Sequence, residues 1–86
     1  MNTKEIEINY KKYLIFAKKD EIKSWKNTIQ DYKINIAELV LSGAQQEEIN
    51  KYVEFIEKHK KDIENLELEI ANLIIEINNI KKEINN

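Results

Sequence analysis

Isoleucine recurs at every seventh position along most of the chain, and this spacing constrains the fold more than any other feature of the sequence. In the second half it occupies Ile49, Ile56, Ile63, Ile70, Ile77 and Ile84. Three residues after the first five of these stand Tyr52, His59, Leu66, Leu73 and Ile80. Such a pattern, at positions a and d of a heptad abcdefg, is typical of a helix that buries one narrow edge against another helix. It predicts a helix of about 40 residues, roughly 60 Å long.

The first half of the chain carries a second series with the same spacing. Its a positions are Ile8, Ile15, Ile22, Ile29 and Ile36. Its d positions change from lysine to large apolar residues along the helix: Lys11, Lys18, Trp25, Tyr32 and Leu39. Ser42 and Gly43 interrupt the pattern, and glycine commonly follows a helix end. We therefore predict helix 1 over about residues 3–41, a turn over about 42–44 and helix 2 over about 44–84, with Asn2 as the first N-cap.

The a and d positions of the two helices, which we call the seam, match when the chain folds back at Ala44. Leu39 then faces Ile49, and Trp25 faces Ile63. The sequence thus predicts an all-α fold, a single domain over residues 1–86, with two long helices in an antiparallel coiled-coil hairpin. The alternative is one continuous helix of roughly 120 Å, since a glycine inside a helix costs only about 1 kcal/mol. The residues expected to join the helices are Ile22, Trp25, Ile29, Tyr32, Ile36, Leu39, Ile49, Ile56, Ile63, Leu66, Ile70, Leu73 and Ile77.

More apolar residues fall outside the seam than a two-helix interface can bury. They are Ile6, Tyr10, Tyr13, Phe16, Ala17, Ile34 and Leu41 on helix 1, and Val53, Phe55, Leu68, Ile74 and Ile75 on helix 2. Single exposed apolar residues are normal, but monomers rarely expose large patches. We expect self-association, most simply a homodimer in which two hairpins form a helical bundle. The candidate partner surface comprises Lys11, Lys18, Phe55, Leu68, Ile74 and Ile75.

Lys11 and Lys18 occupy d positions across from Ile77 and Ile70, and two interpretations account for them. In the first, each lysine lays its aliphatic stem over the seam and extends its ammonium group into water. In the second, the end of the hairpin that holds the chain termini is under-packed. The apolar surface of residues 68–80 would then be open to a partner, and the lysines would discourage wrong partners.

Charge differs between the two helices. Lysines occupy e positions of helix 1, at Lys12, Lys19, Lys26 and Lys33, and acidic residues occupy g positions of helix 2, at Asp62, Glu69, Glu76 and Glu83. Within an antiparallel hairpin e positions face e positions and g positions face g positions. This distribution therefore favours a parallel contact between helix 1 of one protomer and helix 2 of another.

The sequence predicts no catalytic, cofactor or metal site. His59 is the only histidine, and the chain has no cysteine, glycine-rich phosphate loop or zinc-ligand spacing. Helix 1 is rich in lysine, but the absence of arginine in the sequence and the net charge of −2 argue against nucleic-acid binding. The longest apolar run, residues 13–17, is far below the roughly 18 residues of a membrane span. We expect a soluble, cytoplasmic protein with no membrane partner.

Two functional hypotheses remain at this point. The first is a non-enzymatic helical-hairpin module, an adaptor or scaffold, that self-associates and binds another protein. The second is a small inhibitor or regulator, for instance one encoded by a phage, that blocks a host enzyme or nucleic-acid complex. A hairpin fold is compatible with both, because a fold alone does not determine a function.

Overall fold

The protein is a long two-helix hairpin, as the heptad pattern predicted. A computed structural model describes residues 2–85. Helix α1 spans Thr3–Leu41 and helix α2 spans Gln46–Asn85, and the two lie antiparallel along a body measuring 65 × 16 × 12 Å between Cα atoms. The alternative of one continuous helix is wrong, because residues 42–45 reverse the chain direction. We call the end with this turn the turn end and the other the open end.

Helix α1 begins and ends with local hydrogen bonds that the sequence encodes. The Asn2 side chain accepts a hydrogen bond from the Glu5 amide at 2.8 Å, which confirms Asn2 as the N-cap. At the other end, the Gly43 amide donates to the Val40 carbonyl at 3.2 Å and the Ala44 amide donates to the Leu39 carbonyl at 3.0 Å. This pair of bonds is the Schellman motif, and it requires the left-handed backbone that Gly43 adopts at φ 75°.

Helix α2 begins at Gln46, two residues later than predicted. The Ala44 amide is already bonded back to Leu39, so Ala44 belongs to the cap of α1 rather than to α2. The Gln45 carbonyl is the first to accept from the new helix, at 3.1 Å from the Glu48 amide and 3.4 Å from the Ile49 amide. The predicted turn of residues 42–44 is therefore too short, because the C-terminal cap takes up residues that were assigned to helix 2.

The core is one narrow line of side chains between the helices. One buried cluster contains Ile22, Ile29, Ile56, Ile63, Leu66 and Ile70, and a second at the open end contains Ile8, Ile77 and Ile80. Ile15 packs against both clusters and joins them. None of the large side chains among residues 2–85 is completely enclosed, because two helices cover a side chain from only two directions.

Candidate protein-interaction surface

The seam residues that the sequence singled out lie between the helices, at two depths. The buried ones are Ile22, Ile29, Ile56, Ile63, Leu66, Ile70 and Ile77. The half-buried ones are Trp25, Tyr32, Ile36, Leu39, Ile49 and Leu73. Ile8, Ile15 and Ile80, which the sequence also places at a and d positions, lie in the interface as well. Ile84 has the same spacing but is 40% exposed, because it lies in the last turn of α2.

A cluster of aromatic rings surrounds His59 in the middle of the seam. The His59 ring stacks on Trp25 with centroids 4.3 Å apart and on Tyr32 with centroids 5.8 Å apart. His59 is only 9% exposed, and its Nδ1 lies 3.3 Å from a carboxylate oxygen of Asp62. The histidine therefore fills a core position of the coiled coil, with its polar edge turned toward the acidic neighbour one helical turn later.

The aromatic cluster continues toward the turn end and reaches the surface at Phe55. The Phe55 ring lies 5.6 Å from the Tyr32 ring, while its centroid distance to Tyr52 is 6.5 Å. Phe55 is nevertheless 47% exposed. One side of the ring thus packs on the hairpin, and the other side is available for contact. Phe55 is the only aromatic member of the predicted partner surface.

Near the open end, three lysines of α1 form ion pairs with three glutamates of α2. Lys18 Nζ lies 2.8 Å from Glu69, Lys11 Nζ lies 2.9 Å from Glu76, and Lys4 Nζ lies 3.3 Å from Glu83. The lysines occupy d positions and the glutamates g positions, so the pairs recur with the heptad. The sequence had suggested that these glutamates meet lysines of another protomer; the structure instead gives all three a partner within the same hairpin.

The ion pair with Glu76 changes the acidity of Lys11. The hydrogen bond to Glu76 and the nearby charges of Glu76 and Glu7 raise the pKa of Lys11 above its ordinary value of 10.5, although partial burial opposes the shift. A raised pKa means that the folded state favours the charged form. The contribution to stability is therefore complete below the ordinary pKa and disappears only as the pH rises through the raised value.

The seam at the open end is buried in part, and the outward surface there is apolar. Ile8, Ile77 and Ile80 are buried between the helices, whereas Leu73 is half-buried and lines a shallow depression with Lys18. The exposed residues point away from it: Ile6, Tyr10, Tyr13 and Phe16 on α1, and Leu68, Ile74 and Ile75 on α2. Phe16, at 70% exposure, is among the most exposed of them.

The two long faces that flank the seam differ in charge. Glu21, Asp62 and Glu69 line one shallow depression beside Trp25, so the g positions of both helices share a face. We call the g and c positions of both helices the g face. The e and b positions form the opposite side, the e face. Its charged residues are Glu5, Lys12, Lys19, Lys23, Lys26 and Lys33 on α1 and Glu57, Lys60, Glu64, Glu67 and Lys81 on α2.

Comparison with protein-family models, curated proteins and solved structures finds no match to this chain. Over residues 2–85, neither helix has a stretch long and apolar enough to cross a membrane. In the same part of the chain, no three histidine or carboxylate side chains are grouped to hold a metal ion.

Proposed function

We propose that this protein is a non-enzymatic helical-hairpin interaction module, an adaptor or scaffold, that works as a self-associated bundle. The observation that supports this proposal is the exposed apolar surface of a hairpin with a single narrow core. Across residues 2–85, large apolar side chains between 40% and 87% exposed occur on both helices. Water contact with so much apolar surface is unfavourable by about 25 cal/mol for each Å², and association of hairpins would remove part of it.

A protein partner is the second part of the proposal. Ile6, Tyr10 and Tyr13 follow the spacing i, i+4, i+7 on the outer side of α1, and all three are more than half exposed. This is the arrangement by which an amphipathic helix presents anchors to a groove on another protein. A bundle that used other surfaces for self-association would keep these residues available, as an adaptor requires.

Sedimentation equilibrium tests the self-association directly. At tens of micromolar protein we expect a mass of about twice the 10.3 kDa of one chain, since burial of exposed apolar surface drives association. Far-ultraviolet circular dichroism on the same samples checks that the chain is helical throughout the concentration series. A helical protein that stays at the mass of one chain up to roughly 100 µM would overturn the proposal, because a lone hairpin would then tolerate its exposed surface.

A further inference from the structure

We propose that the e face is the surface through which two copies of this chain associate. In this dimer the two e faces pack together with both turns at the same end, so that α1 of each copy lies antiparallel on α2 of the other. The inference depends on the self-association proposed above and specifies its surface and direction. It comes from the charges, apolar residues and dimensions of the e face.

The charges of the e face are separated by helix. From Lys12 to Lys33, α1 contributes only lysines to its charged positions, whereas the middle of α2 contributes mainly the carboxylates of Glu57, Glu64 and Glu67. Among residues 2–85, no carboxylate lies within ion-pair distance of these α1 lysines. Lys60, the basic exception on this part of α2, is paired with Glu57 at 3.5 Å. Apart from the Glu57–Lys60 pair, the e face thus carries lysines on α1 and carboxylates on α2 that form no ion pair within residues 2–85 of the hairpin.

A two-fold axis along the length of the hairpin brings these charges together. Such an axis places α1 over α2 of the partner copy and keeps every residue at its own height. Because the Lys18–Glu69 ion pair fixes the heights within one hairpin, Lys19 and Lys23 come level with the partner's Glu67 and the partner's Glu64. The same matches recur in both symmetry-related halves of the interface, whereas Lys26 comes level with the partner's Lys60, a residue that is paired with Glu57 at 3.5 Å within its own helix.

The apolar residues of the e face match by the same operation. Toward the open end, Phe16 comes level with the partner's Ala71 and the partner's Ile74. Toward the turn end, the partner's Val53 comes level with residue 34, and its nearest e-face neighbours on α1 are Lys33 and Ala37. Phe16, Val40, Val53 and Ile74 are all exposed in the single hairpin. An apolar contact at the open end would therefore adjoin the charged middle of the interface.

Other arrangements of two hairpins lack this complementarity. If the turns lay at opposite ends, α1 would lie on α1 and α2 on α2, which sets lysine against lysine and carboxylate against carboxylate. If the g faces met, Glu21 of each copy would approach Asp62 and Glu69 of the other. Like charges in contact disfavour a complex by several kcal/mol. If the e face of one copy packed on the g face of the next, the first copy would keep an uncovered g face and the second an uncovered e face. Further copies could then bind at both sides, and the assembly would not close.

The e face is also large enough for a stable dimer. The hairpin measures 65 Å by 16 Å across its two longest dimensions, and a stable interface needs roughly 800 Å² from each partner. Face-to-face packing along the whole length satisfies that requirement. Contact restricted to one end, such as the apolar surface around Ile75, would cover less than half of this length.

Spin labels test the direction of the dimer. The chain has no cysteine, so Gln45→Cys places one label at the exposed turn. Pulsed dipolar spectroscopy should give label separations of roughly 15–30 Å, because neighbouring helix axes lie about 8–10 Å apart. As a control, Gln45→Cys mixed with Asn79→Cys, at the open end, should give a much longer separation between the unlike labels. The reverse result, turn labels separated by about the 65 Å length of the hairpin, would overturn the inference but not self-association.

Charge reversal tests the surface. Lys19→Glu with Lys23→Glu, or Glu64→Lys with Glu67→Lys, should each weaken the dimer at least about tenfold, since like charges then face each other. An equimolar mixture of the two double variants should restore the dimer, because every reversed residue meets a reversed partner. Lys51→Glu with Lys58→Glu makes the same change in charge on the g face and should leave the dimer intact.

Each outcome decides between the proposals. A monomeric parent protein overturns both self-association and the e-face dimer. A dimeric parent whose association is unaffected by the e-face reversals, or assemblies that grow beyond two copies, overturns the e-face dimer alone. If one charge-reversal variant loses its helical circular dichroism, the label distances of the folded Gln45→Cys protein decide whether the e-face dimer forms. Selective restoration in the mixture, together with short distances between the turn labels, supports the inference.

Discussion

At the residue scale, the lysines of the seam are the clearest departure from an ideal coiled coil. Lys18 has a side chain that is 27% exposed and paired with Glu69, which is 53% exposed. An ion pair this accessible contributes under about 1 kcal/mol. The lysine stem covers part of the seam beside Ile70 and the ammonium group reaches the surface, so the position is compatible with the fold without being optimal for it.

Replacement of this lysine by leucine should therefore stabilise the hairpin. Lys18→Leu exchanges an exposed ion pair for apolar contact with the seam, and we expect a gain of about 1 kcal/mol, which raises Tm by roughly 4–8 °C in a protein of this size. Lys11→Leu in addition should raise Tm further. Thermal denaturation followed by circular dichroism at one fixed protein concentration measures the change, with Lys58→Leu on the exposed side of α2 as the control. A fall in Tm for the Lys18→Leu variant would contradict the register of the two helices.

His59 is the second residue of interest, because a polar ring occupies a buried position of the seam. His59→Ala removes the ring that stacks between Trp25 and Tyr32 and leaves a cavity, so we expect a loss of about 2 kcal/mol in the free energy of unfolding. Chemical denaturation measures it.

His59→Phe supplies the control for the stacking argument. It keeps an aromatic ring between Trp25 and Tyr32 but loses the contact with Asp62, and the free energy of unfolding should stay within about 1 kcal/mol of the parent. Equal losses in the two variants would show that the contact with Asp62, rather than the stacking of rings, stabilises the seam.

At the scale of the elements, the turn determines whether the two helices belong to one hairpin. Gly43 is left-handed, and a Cβ added there would meet no other atom within 4 Å. A substitution would therefore strain only the backbone. The cost in the free energy of unfolding would therefore come from the backbone conformation of residue 43 and not from packing.

Gly43→Ala should lower the free energy of unfolding by about 1 kcal/mol, because a left-handed residue with a Cβ is disfavoured by roughly this amount. Gly43→Asn should cost less, since asparagine adopts this conformation more readily. Ala37→Gly, inside α1, is the reference variant for the free energy of unfolding that is lost when a glycine stands within a helix. A Gly43→Ala protein more stable than the parent would mean that the chain prefers to continue α1 through residue 43.

At the scale of the whole molecule, the heptad spacing was sufficient to predict two helices, their direction and most of the residues between them. Trp25 packs against the cluster that contains Ile63, as the register predicted. These features were predictable because a seven-residue repeat leaves only one edge of each helix to bury, and because one of the fold points that align the two edges falls beside Gly43, the only glycine in the sequence. The late start of α2 was missed because the C-terminal cap of α1 includes Ala44, and Gln45 is the residue whose carbonyl first accepts from α2.

The ion pairs of the open end were not predictable from the e and g rule for hairpins. That rule treats d positions as apolar, so it had no place for a long side chain that leaves the seam from Lys11 or Lys18 and reaches a g position. The outer apolar residues were identified correctly as exposed. What covers these residues could not be predicted. The sequence of one chain determines its own core, but for a partner it determines only the shape and charge of the surface that the partner would contact.

The change from aromatic rings at the turn end to ion pairs at the open end has a consequence for how the hairpin forms and opens. Contacts near Gly43 join residues that are close in sequence, so their loop-closure entropy is small, and they include the ring stacking of Tyr32. Contacts near Lys4 close almost the entire chain and are weakened by salt. The helices should therefore associate first near the turn and separate first at the open end, which would expose the backbone around Ile6 and Tyr10 to proteases earlier than the backbone near the turn.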